Sequence, residues 1–154
     1  MGNEYLFTPS LKEDDEKIST YDINKFFYVA FFGGVIPLVG LATITAKKFK
    51  IEKRTIAFLA AAGILILLAK YYIVFTIYNH QPIMDDRILS WMYKGASCLL
   101  YLAYYKIMKE KFTIHVSYGG EVKPIFSHAL AWVFVGALVE VGLGIFVAWV
   151  TGTL

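Results

Sequence analysis

The feature that most limits this chain is a series of four long apolar blocks, at about 26–46, 55–78, 88–108 and 129–150. Each is about twenty residues or longer. At 1.5 Å per helical residue, that length covers the ~30 Å hydrocarbon core of a bilayer. Hydrophobic residues make up 58% of the chain and charged residues 18%, against roughly 45–50% and 25% in soluble domains. The excess is gathered into blocks and not spread with a period of 2 or 3.6, so lipid is the expected solvent for much of the surface. The expected fold is all-α: a polytopic membrane protein, a four-transmembrane-helix bundle over 26–154, preceded by a polar acidic leader over 1–25.

The blocks are not equal. The first contains Gly33, Gly34, Pro37 and Gly40. Pro37 removes a backbone donor and is expected to kink a spanning helix, which a bundle tolerates if neighbours satisfy the freed carbonyl. A re-entrant hairpin is the competing arrangement. The second block is the strongest and is interrupted only by Lys70; the third carries Lys94; the fourth carries only Glu140. In the leader, Ser10-Leu11-Lys12-Glu13 fits a capping box. In the last connection, the alternation from Phe112 to Tyr118 before Gly119-Gly120 suggests a short extended piece.

Basic residues set the expected orientation. Lys47, Lys48, Lys50, Lys53 and Arg54 fill the first connection, and Lys106, Lys109, Lys111 and Lys123 border or fill the third. The second has only Arg87, beside Asp85 and Asp86. The first and third connections are therefore expected in the cytoplasm and both termini outside, in a bacterial plasma membrane. A re-entrant first block would instead bring the leader inside. The run at 47–54 is the expected headgroup-binding segment.

Glu140 is the most informative residue. A lipid-facing charge at mid-span costs at least ~2.5–3.5 kcal/mol. Gly136 and Gly144 lie one turn to either side of it, and small residues let another helix approach closely. Lys70 and Lys94 fall at similar depth, so a Lys70–Glu140–Lys94 cluster is expected, with Tyr71, Tyr93 and Tyr101 available as hydroxyl donors. One reading is an ion relay or polar solute site; the other is a structural pair that sets helix register, with Lys94 reaching for the outer surface. Gly33, Gly34, Pro37, Gly40, Gly136 and Gly144 are the expected helix-packing positions.

Other chemistry is not signalled. Cys98 is the single cysteine, His80, His115 and His128 are scattered at span ends, and no nucleophile–base set, phosphate loop or metal-ligand spacing appears. No catalytic residue, metal or cofactor is therefore expected. A net charge of +3 gives no reason to expect nucleic acid. The membrane-embedded acid resembles that of small multidrug-resistance exporters, but theirs lies in the first span and this one in the fourth. The functional expectation is a non-enzymatic membrane component or accessory subunit, a homo-oligomer or the partner of a larger membrane protein. The alternative is a small oligomeric ion or solute transporter with Glu140 at its polar site.

Overall fold

The structure is a computed structural model that describes residues 19–79, 85–150 and 152. The capping box at Ser10–Glu13, His80 and Thr151 lie outside the described residues. The fold is predominantly helical. A short strand β1 (Thr20–Tyr21) leads to a 3-10 turn (Ile23–Lys25), helix α1 (Phe26–Tyr28) and a π-helical stretch (Val29–Gly33). Helices α2 (Val35–Lys48), α3 (Lys53–Asn79) and α4 (Asp86–Ser117) follow; a second strand β2 (Val122–Lys123) precedes α5 (Phe126–Val150).

The first apolar block is not one helix. The run that starts at Asp22, whose side chain accepts from the Asn24 amide at 3.0 Å, stops at Gly34. Gly34 has φ 78° and ψ −159°, a region essentially closed to any residue with a Cβ. There the chain turns back. Along the first arm, Phe27 meets Tyr101 and Phe31 meets Lys94, so the arm runs toward the Asp86 end of α4. Along α2, Val35 meets Tyr93 and Phe49 meets Phe112, so the chain returns toward the Ser117 end. The Lys48 ammonium donates to the Ser19 carbonyl at 2.7 Å. Residues 19–48 thus form a helical hairpin whose two ends lie side by side.

This corrects two expectations. The block does not run as a single helix: α2 has 14 residues, about 21 Å of helix. Nor is Pro37 the cause of the break. It is the third residue of α2, where the backbone N–H has no intrahelical partner to lose. Residues 19–21 therefore lie at the end of the bundle that holds the first and third connections, and not at the opposite end. The parallel pairing of β1 with β2, Thr20 opposite Val122, agrees.

The hairpin is the core. Phe26, Ala30, Leu38 and Ala42 are all fully buried, enclosed by α3, α4 and α5. Close packing runs through glycines. A Cβ on Gly40 would stand 2.6 Å from the Trp132 ring, one on Gly136 would stand 2.9 Å from Pro37, and one on Gly63 would stand 2.6 Å from Val39. At Gly144 nothing within this chain lies within 4 Å of the Cβ position.

The outer helices are exposed and apolar. Two stretches, Lys53–Thr76 and Phe126–Val150, are long and apolar enough to cross a membrane, and only 11% and 6% of their most apolar windows is buried. The core helix of a soluble protein would be enclosed; these are not. α4 is longer, at 32 residues, but its tyrosines and lysines make it less apolar. It also continues to Ser117 through the segment expected to be extended. Met108, Phe112 and His115 recur at helical spacing there, and Phe112 and His115 pack their rings on Phe49.

Candidate functional site: the cavity at the hairpin tip

Three elements bring polar groups to the tip of the hairpin. Lys70 lies 17 residues into α3, Tyr93 and Lys94 about two turns into α4, and Glu140 about four turns into α5. The Lys70 ammonium is 2.5 Å from Glu140 Oε2. The Tyr93 hydroxyl donates to Glu140 Oε1 at 3.0 Å. The same hydroxyl accepts from the Val35 amide at 3.2 Å, the first backbone N–H of α2. The Tyr71 hydroxyl donates to the Glu140 backbone carbonyl at 2.9 Å. Both carboxylate oxygens are therefore held, and the Lys70 ammonium also lies over the Tyr93 ring, 4.1 Å from its centroid.

The expected three-residue cluster is resolved into two parts. Lys70 and Glu140 form an ion pair. Lys94 stands apart: its ammonium lies 5.3 Å from the ring centroids of both Phe31 and Trp91, and Glu140 is not its ion-pair partner. Of the three tyrosines, Tyr71 and Tyr93 reach Glu140, whereas the buried Tyr101 packs on Phe27 and Tyr105.

Both parts line one cavity of about 320 Å³. Its walls include Phe31 to Gly34 at the hairpin tip, Ser90 on α4, and Val133 and Ala137 on α5. The side chains of Lys70 and Glu140 keep 20% and 27% of their surface exposed, so the pair is presented to the cavity and not sealed inside a helix contact. On the other side of the tip the buried hairpin closes the way: Val29, Ala30, Leu38 and Leu41 leave 5% or less exposed.

Elsewhere the expected sites are placed as follows. Of the basic run, Lys47, Lys50, Lys53 and Arg54 are exposed. Lys48 is turned inward, onto Ser19 and over the Tyr21 ring at 5.2 Å, so it ties the hairpin. Lys111 on α4 donates to the Phe49 carbonyl at 3.0 Å, closing the C-terminal end of α2. Among the described residues, no group of three His, Cys, Asp or Glu is gathered for a metal. Sequence reasoning did not find Phe31, Phe32 and Ser90 as cavity residues. The pair Gly33-Gly34, just ahead of a proline that suits a first helical turn, was the available signal.

No protein-family profile matches this chain, and neither does any curated protein or solved structure, so the functional reading rests on the geometry of this site.

Proposed function

We propose that this chain is a small, non-enzymatic membrane transport protein. In this reading α3, α4 and α5 cross the bilayer. The 22–48 hairpin re-enters it from the face that bears the first and third connections, which is the cytoplasmic face by its lysines. Glu140 stands in a solute site reached from the other face, with the hairpin as the plug beneath it.

The observation that carries the reading is the Lys70–Glu140 pair on an open cavity wall. Ion pairs in apolar surroundings are weak stabilisers, and well-packed apolar residues in their place often stabilise more. An acid retained at mid-helix, held by Lys70 and Tyr93 yet accessible, fits a site that meets a polar solute. Irregular backbone at such depth is tolerated where it lines a cavity, and Gly34 is such a point.

The test is solid-supported-membrane electrophysiology on proteoliposomes, with a panel of inorganic ions and small organic solutes. Wild type should give a solute-dependent current that Glu140→Gln lacks while remaining folded. No current with any solute, in either protein, would reject the reading.

A second reading, an accessory subunit or homo-oligomer, is favoured by one observation. Gly95, Gly142 and Gly144 have nothing within 4 Å of their Cβ positions, so those small surfaces are open to another helix. Light scattering in mild detergent tests it: a mass above one chain plus micelle supports it, and a strict monomer without a co-purifying protein counts against it.

A further inference from the structure

We propose that the hairpin-tip cavity binds a singly charged organic anion, its negative group against Lys94 and its apolar end against Phe31 and Phe32. The proposal deepens the transport reading and rests on the same cavity, but it concerns binding and can be tested without flux.

The argument starts from charge. The cavity holds three charged side chains: Lys70, Lys94 and Glu140. The two oxygens of Glu140 are occupied by Lys70 and Tyr93, which leaves the acid neutralised. The Tyr93 hydroxyl is also committed, as donor to Glu140 and acceptor from Val35. Lys94 is the surplus cation. The partners it shows are the faces of Phe31 and Trp91, which steady an ammonium but do not neutralise it. The cavity therefore carries one net positive charge, next to the Ser90 hydroxyl. The N-terminal end of α2 lines the same space at Gly34; Tyr93 takes its first N–H, and the dipole of the remaining turn adds to the positive potential.

The walls select among anions. Phe31, Phe32, Leu89 and Val133 present apolar surface that a bare halide or phosphate leaves unused. A volume of about 320 Å³ lies at the small end of ligand sites, roughly 300–1,000 Å³. A zwitterion is disfavoured, because no free acid remains for its ammonium. The fit is a monocarboxylate, or an equivalent monoanion, with a short apolar tail.

The experiment is saturation-transfer NMR on the full chain in nanodiscs, with butyrate, butylamine and laurate as probes. Butyrate should show transfer from the protein in wild type and in Lys94→Arg. In Lys94→Gln its affinity should fall about tenfold, the loss of one charge-assisted contact worth about 1.4 kcal/mol. Laurate bound through Lys94 without butyrate would keep the class and assign its source to the bilayer. Butylamine binding as well as butyrate, or butyrate binding indifferent to Lys94→Gln, would overturn the proposal. Lys94-dependent binding without any current would leave this inference standing and remove the transport reading. A Glu140-dependent current without anion binding would do the reverse.

Discussion

Lys48 and Ser19 are joined by a hydrogen bond of 2.7 Å across 29 residues of chain, so the segment between them leaves one end of the bundle and comes back to it. The disposition of the whole protein follows from this contact. In the proposed disposition residue 19 lies on the same face as residues 50 and 123, and on the opposite face from residue 87. Single-cysteine variants at Ser19, Lys50, Lys123 and Arg87, in a Cys98→Ala background, test it with a membrane-impermeant maleimide on intact cells. The first three should share one labelling pattern and Arg87→Cys the other. Ser19→Cys labelling together with Arg87→Cys would mean that the first block crosses.

Gly34 makes the reversal, and its dihedral angles demand that it be glycine. Gly34→Ala should cost about 1–3 kcal/mol, the usual penalty for forcing a side chain into that backbone region. Its Cβ would also stand 3.1 Å from the Tyr93 ring. Pro37→Ala trims a fully buried ring that packs against Gly33 and Gly136 and should cost about 1 kcal/mol through lost packing alone, because no helical hydrogen bond is at stake at a third position. Chemical or thermal unfolding in detergent compares the two; a larger loss at Pro37 than at Gly34 would contradict the assignment of the break.

The polar centre should behave as a coupled unit. Lys70→Met leaves Glu140 with Tyr93 alone and should lower stability by about 2–3 kcal/mol, near the lower end for a buried pair that loses one partner, since the cavity supplies some water. Adding Glu140→Gln should recover much of that loss. The coupling energy from the four-cornered cycle, read from unfolding midpoints, should be at least about 1 kcal/mol. Additive effects would show that the two charges do not interact.

Tyr93→Phe removes one hydroxyl and two hydrogen bonds, one to Glu140 and one from Val35. A loss of about 1–2 kcal/mol is expected. Hydrogen exchange at the Val35 amide should rise as well, because that N–H loses its acceptor. Unchanged exchange there would show that the hydroxyl does not hold the start of α2.

Glycine positions separate packing from open surface. Gly40→Ala would put a methyl group 2.6 Å from the Trp132 ring and should cost about 1–3 kcal/mol by overpacking. Gly144→Ala meets nothing and should stabilise slightly, by about 0.5–1 kcal/mol, through helix propensity. A destabilised Gly144→Ala would point to a second chain packed on that turn.

Parts of this arrangement were legible in the residues and parts were not. α3 and α5 were legible because an uninterrupted apolar run of that length has few soluble uses. The meeting of Lys70 with Glu140 was legible because depth along a helix follows from counting at 1.5 Å per residue, and a lone acid at that depth needs a partner. The hairpin was harder. Helix propensity over 26–46 is continuous on either side of Gly34, and proline is the louder punctuation mark, so Pro37 was given the break that one glycine three residues earlier makes. Lys94 was misassigned for a different reason: depth places a residue along an axis but not around it, and its face of α4 points to Phe31 and Trp91. The strand-like alternation from Phe112 to Tyr118 also held a helical stripe, and the tertiary contact with Phe49 decided between them.

The order of synthesis runs against the order of packing. The hairpin is made before Tyr93, Trp132 and Gly136, which hold its tip and flank. Until then its two short arms have neither the length to cross a bilayer nor a groove to fill. In the proposed disposition the segment must therefore wait in the headgroup layer while three later helices are inserted, and then slip in among them. Biogenesis of this protein ends at its beginning, and a chain truncated before α5 would leave the hairpin without a seat.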